Sequence, residues 1–93
     1  MRLIDFNLST ADLDRQLPLY WEHDHTLVPI QSLELTANQL ILKPVKNSQP
    51  MLLDQFTTRT QQVSGQINLF VQTTTKAEPL FGYRLNEQRM LLG

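Results

Sequence analysis

Residues 32–44 read Ser32-Leu33-Glu34-Leu35-Thr36-Ala37-Asn38-Gln39-Leu40-Ile41-Leu42-Lys43-Pro44. A two-residue turn centred on Ala37-Asn38 sets Leu35 opposite Leu40 and Leu33 opposite Leu42. All four leucines then share one face, and Glu34 and Ile41 share the other. Asn38 tolerates the positive φ that a tight hairpin needs, and Ala37 is a poorer partner. The stretch therefore reads as an antiparallel hairpin with one apolar face.

The C-terminus repeats this pattern. YRLNEQRMLLG (residues 83–93) resembles LELTANQLILK (residues 33–43) in its apolar, polar, apolar order around a short Asn-containing turn. A four-residue loop over Asn86–Arg89 lets Phe81, Tyr83, Leu85, Met90 and Leu92 share a face. A two-residue loop at Asn86-Glu87 would instead set Arg84 opposite Arg89, which is repulsive. Likeness over so short a stretch is what any hairpin requires, so by itself it does not establish a duplication.

Between the hairpins, Gln66–Thr75 alternates Ile67, Leu69 and Val71 with polar residues, which argues a strand. Val45–Pro50 is loop by composition. Met51–Val63 supports two readings. Leu52, Phe56 and Val63 fit a helical stripe, with Pro50 near its start and Gly65 as C-cap. Thr57, Thr58 and Thr60 are β-branched and crowd a helix, which favours a strand turning at Ser64-Gly65.

Met1–Leu8 alternates with period two, and a strand is expected there. Ser9-Thr10-Ala11-Asp12 resembles a capping box, and Leu13 and Leu17 are spaced for a short helix that Pro18 stops. Leu19–Ile30, bracketed by Pro18 and Pro29, is either an edge strand or a hairpin turning at His23-Asp24. The fold expected is mainly β and borders on α+β. It is an antiparallel sheet of hairpins with one short N-terminal helix, in a single domain over residues 1–93. Leu33, Leu35, Leu40, Leu42, Ile67, Leu69 and Val71 are expected to be buried together.

Composition narrows the chemistry. Apolar residues make up 41% and charged residues 18% of the chain, and the net charge is −1. No global field draws nucleic acid or anionic lipid. Residues 1–40 hold six carboxylates against Arg2 and Arg15, whereas residues 41–93 hold six cations against three carboxylates. With no cysteine, disulfides, thiolate metal sites and thiol catalysis are excluded. No signal peptide or spanning segment is legible, so the chain reads as a complete small open reading frame of the cytoplasm. Three glycines, Gly65, Gly82 and Gly93, cannot form a phosphate-cradling loop.

Both histidines and the only tryptophan fall in Tyr20-Trp21-Glu22-His23-Asp24-His25-Thr26. On a strand, His23 and His25 would face one way and could share a divalent ion. The H-x-H pattern resembles that of small metal-binding β-barrels of the cupin type. Those carry a glutamate four or five residues further on, where this chain has Pro29 and Ile30, so the resemblance is rejected. The reading preferred is a polar hairpin tip with Trp21 packed beneath it. An acid–base site on the same histidines lacks a marked nucleophile, and no serine sits in a G-x-S-x-G elbow.

Leu69-Phe70-Val71 and Phe81-Gly82-Tyr83 resemble fragments of the aromatic strands of RRM domains. Too few residues separate them for the helix and strand that fold requires. A β surface with Phe70, Tyr83, Arg84, Arg89 and Lys76 could still stack the bases of a single strand.

Threonine and glutamine crowd residues 55–75. If those strands form a sheet edge, nothing guards them against pairing with another chain. The function expected is a small non-catalytic binding or assembly module without a cofactor. It would self-associate through an edge carrying Thr58, Thr60, Gln62 and Thr73, as a homodimer or with another protein. The alternatives are a metal-dependent protein using His23 and His25, and a weak single-stranded nucleic-acid binder.

Overall fold

The computed structural model describes residues 1–93. Helices α1 (Leu3–Ser9) and α2 (Leu53–Arg59) accompany seven strands. These are β1 (Leu19–His23), β2 (Thr26–Leu35), β3 (Gln39–Pro44), β4 (Asn68–Gln72), β5 (Ala77–Pro79), β6 (Tyr83–Asn86) and β7 (Arg89–Leu92). They form one curled sheet in the order β5-β4-β3-β2-β1-β7-β6. The strands at its two ends are consecutive in the chain and joined by Leu80-Phe81-Gly82.

The chain is mainly β, but the sheet is mixed. β1–β2, β2–β3, β4–β5 and β6–β7 pair antiparallel, whereas β3–β4 and β1–β7 pair parallel. Both hairpins have the register read from sequence. Leu35 faces Leu40 and Leu33 faces Leu42, while Leu85 faces Met90 and Tyr83 faces Leu92. The four-residue loop expected over Asn86–Arg89 is not formed: Asn86 and Arg89 themselves pair, which leaves the two-residue turn Glu87-Gln88 and keeps Arg84 away from Arg89. Both turn residues take positive φ, 51° and 62°. That is the type I′ geometry whose twist matches the flanking strands.

The N-terminal expectation fails. Met1–Leu8 is not a strand, and no helix follows Ser9. The helix is Leu3–Ser9 itself, and residues 10–17 are turns and irregular backbone. Leu3, Phe6 and Thr10 are the buried positions, at helical spacing, while Ile4 and Leu8 are exposed. The period-two alternation came from apolar residues that face solvent.

Within Met51–Val63 the structure is likewise a helix, α2 over Leu53–Arg59, followed by turns, and not a strand. Leu53, Phe56 and Thr60 are its buried positions. The crowding threonines are accommodated by bonding back to the helix. Thr57 Oγ1 donates to the Leu53 carbonyl at 3.0 Å, and Thr60 Oγ1 donates to the Phe56 carbonyl at 2.8 Å. At the N-terminus the Leu52 amide donates to Gln55 Oε1 at 2.9 Å, which is half of a capping box.

These corrections share one cause. Residues 51–93 repeat the element order and strand register of residues 1–43 at a constant offset of fifty, except that the continuous strand β2 is answered by β5 and β6 with a break at residues 80–82. Leu3, Phe6, Thr10, Leu19, Pro29 and Leu42 recur as Leu53, Phe56, Thr60, Leu69, Pro79 and Leu92. The hydrogen bonds recur too. The Leu3 amide donates to the Ile67 carbonyl at 2.9 Å, and the Leu53 amide donates to the Leu17 carbonyl at 2.8 Å. The Ile4 amide donates to Gly65 and the Asp54 amide to Arg15. The similar hairpins therefore belong to a full internal repeat with pseudo-twofold symmetry.

The repeats interlock. Each parallel pair joins a strand of one repeat to a strand of the other, and each helix N-terminus is satisfied by carbonyls of the other repeat. Phe6 and Phe56, equivalent residues, meet edge-to-face with ring centroids 5.1 Å apart. They belong to a core of fourteen buried residues that includes Leu19, Leu69, Ile30 and Leu80. Gly65 is set by this interlocking, because a Cβ there would lie 3.1 Å from Ile4 Cβ. Of the predicted core, Leu40, Leu42, Leu69 and Val71 are buried, and Leu33 and Ile67 are partly so. Leu35 is 58% exposed, because it sits at the hairpin tip beyond the core.

Candidate functional site

The opening polar cluster is a hairpin tip. β1 and β2 pair with His23 opposite Thr26, and Asp24-His25 form the turn, one residue later than expected. Both turn residues take positive φ, 49° and 63°. The Trp21 indole is half-buried and stacks on the His23 imidazole, with centroids 4.8 Å apart and planes 13° apart. His23 Nε2 lies 3.1 Å from Asp24 Oδ2. Both histidines are exposed. No group of three or more His, Cys, Asp or Glu side chains converges anywhere in the chain.

The nearby carboxylate is engaged elsewhere. Arg84 Nε donates to Glu22 Oε1 at 3.0 Å, and a second guanidinium nitrogen reaches Oε2. This hydrogen bonding holds the Glu22 carboxyl below the usual glutamate range. The same arrangement between Arg2 and Asp5 lowers the Asp5 carboxyl. Both are surface ion pairs, with Glu22 partly covered.

The aromatic and basic residues considered for base stacking are largely occupied. Tyr83 packs edge-on against Phe6, with centroids 5.7 Å apart. Arg84 is held by Glu22. Arg89 pairs with Glu87 at 3.0 Å and lies over the Tyr20 ring. Lys76 is in the turn between β4 and β5, and Phe70 is half-buried on β4.

The threonine and glutamine positions do not form a sheet edge. Thr58 is on α2, Thr60 caps its C-terminus, and Gln62 follows in the turn. Thr60 is buried with 4% exposure. Thr73 lies just past β4, where its hydroxyl organises the turn through the Lys76 carbonyl and amide. Helix formation at 53–59 removes the edge that the sequence suggested.

Two other surface features stand out. The first is terminal strand β6, preceded by Phe81, which is 81% exposed, and carrying Leu85, which is 48% exposed. The second is a groove of about 330 Å³ between the β2–β3 hairpin and the end of α2. Leu33, Leu35, Leu40 and Val63 form its apolar wall, with Ser32, Thr60 and Arg59 at its polar side. Arg59 takes part in no ion pair. Neither feature was read from sequence. The pattern places Phe81 on the shared apolar face of the C-terminal hairpin, but the residue lies outside the strand and in solvent.

No protein family, curated protein or solved structure matches the chain. No helix is long and apolar enough to cross a membrane.

Proposed function

We propose that this protein is a small non-catalytic binding or assembly module that self-associates through strand β6. The observation that carries the reading is the free outer edge of that strand, flanked by exposed Phe81 and Leu85. The two-residue turn makes Asn86 and Arg89 the hydrogen-bonded pair. By alternation, Leu85 and Tyr83 direct their amides and carbonyls away from β7. Such an edge is a template for a further strand. The other terminal strand, β5, has three residues and ends in Pro79, which lacks an amide donor. The lone positive charge on β6, Arg84, is matched by Glu22, so like-charge repulsion between two copies is reduced.

The test is light scattering over a range of concentration. A mass that rises toward a dimer, and that Leu85→Lys returns to a monomer with unchanged circular dichroism, is expected. A strictly monomeric wild type at tens of micromolar would overturn the reading.

A further inference from the structure

The internal repeat supplies a template for the groove beside α2. At the equivalent position of the second repeat the aromatic residue is built in. Tyr83 takes the place of Leu33, and Ser9 takes the place of Arg59. The Tyr83 ring packs edge-on against Phe6, and its hydroxyl donates to the Ser9 carbonyl at 3.1 Å and lies 3.2 Å from Ser9 Oγ. An aromatic ring with a polar end thus bridges strand and helix there. In the first repeat Leu33 is too short to make that bridge, and the groove of about 330 Å³ stands open. Where the tyrosine hydroxyl finds a serine, this groove presents a guanidinium without an ion-pair partner.

We infer that the groove lined by Leu33, Leu35, Val63 and Arg59 binds a small aromatic carboxylate. The ring would lie against the leucines and Val63, in the space that Tyr83 occupies in the other repeat. The carboxylate would accept two parallel hydrogen bonds from Arg59, whose planar fork matches its geometry. Ser32 lines the same groove at its polar side, whereas the buried Thr60 hydroxyl is spent on the Phe56 carbonyl and leaves Arg59 as the groove's charged donor. The volume is at the small end of ligand sites, which suits a single ring with a short acid arm. This site is separate from the β6 edge, so it stands or falls independently of self-association.

The experiment is a titration of the ¹⁵N-labelled protein with 3-(4-hydroxyphenyl)propanoate, followed by amide shifts. Saturable shifts confined to residues around Leu33, Leu35, Arg59 and Val63 are expected. The matching propanamide should bind roughly tenfold or more weakly, because the charge-assisted hydrogen bonds are lost. Arg59→Gln, at an exposed position, should weaken the acid by a similar factor and leave the amide unchanged. Leu33→Tyr should fill the groove from within and abolish binding. If Leu33→Tyr does not fold, the Arg59→Gln comparison decides alone. Equal binding of acid and amide, shifts elsewhere on the surface, or no saturation up to the solubility limit would each overturn the inference. Binding of a tyrosine-terminated tripeptide without binding of the free acid would also overturn it, by assigning the groove to a peptide.

Discussion

Replacing Phe56 by leucine tests the centre of the interlocked core. Phe56 is fully buried, with 0% exposure, and its ring meets Phe6 edge-on at 5.1 Å. Alanine there would cost about 3–5 kcal/mol, a large share of the roughly 5–14 kcal/mol expected for a chain of this size. Leucine keeps most of the apolar volume, which limits the packing cost to below about 1.5 kcal/mol. It deletes one aromatic contact worth about 0.5–1.5 kcal/mol. Phe56→Leu should therefore lose about 1–3 kcal/mol. Phe6 contacts both Phe56 and Tyr83, the latter at 5.7 Å. Phe6→Leu should cost more than Phe56→Leu by about 0.5–1.5 kcal/mol. The double variant loses the shared contact only once, so the two costs should fall short of additivity by about 0.5–1.5 kcal/mol. Urea denaturation of the four proteins gives these values directly, provided the m-values agree. Additivity within about 0.3 kcal/mol would mean that the two rings are not in contact, and the pseudo-twofold core would be refuted.

Two further outcomes follow from the hairpins. Glu22 is held below its ordinary range by Arg84, so its contribution to stability is present above that range and is lost as pH falls through the lower folded value. The Tm advantage of wild type over Glu22→Gln should accordingly shrink between about pH 6 and about pH 3, and a gap that widens toward acid would contradict the pairing. His25 has φ 63° in the β1–β2 turn, so His25→Gly should raise stability by about 1 kcal/mol in thermal or urea melts. Destabilisation by glycine would show that the turn lies elsewhere.

Certain features were legible in the residues because they depend on neighbours in sequence. The pairing of Leu33 and Leu35 with Leu42 and Leu40 follows from a tight turn and period-two alternation, and the pairing at the C-terminal hairpin follows from alternation and from keeping Arg84 away from Arg89. The polar hairpin tip at His23–His25 is of the same kind, although its turn falls one residue later, at Asp24-His25. Helices α1 and α2 were not legible. Each has seven residues, too few to hold without tertiary partners. Their first amides are satisfied by carbonyls more than thirty residues away in the chain, at Ile67, Gly65, Leu17 and Arg15. Nothing local announces such a partner, so the threonines of α2 read as strand residues and the alternation of Met1–Leu8 read as a pleat.

Parallel pairing and the openness of the groove were decided by tertiary structure for the same reason. β1 joins β7 and β3 joins β4 from one repeat to the other, a choice that becomes favourable only when both copies are present to bury Leu19, Leu69 and the two phenylalanines together. The short likeness of LELTANQLILK to YRLNEQRMLLG was the visible end of that symmetry. By themselves the residues determined a mainly β chain, the cross-strand leucine pairs of its hairpins and the absence of thiol chemistry. Only the packing of one repeat into the other determined which stretches became helix. It also left Leu33 and Arg59 beside an open groove where Tyr83 and Ser9 meet, because a side chain's neighbours across a core are set by the fold and not by the chain order.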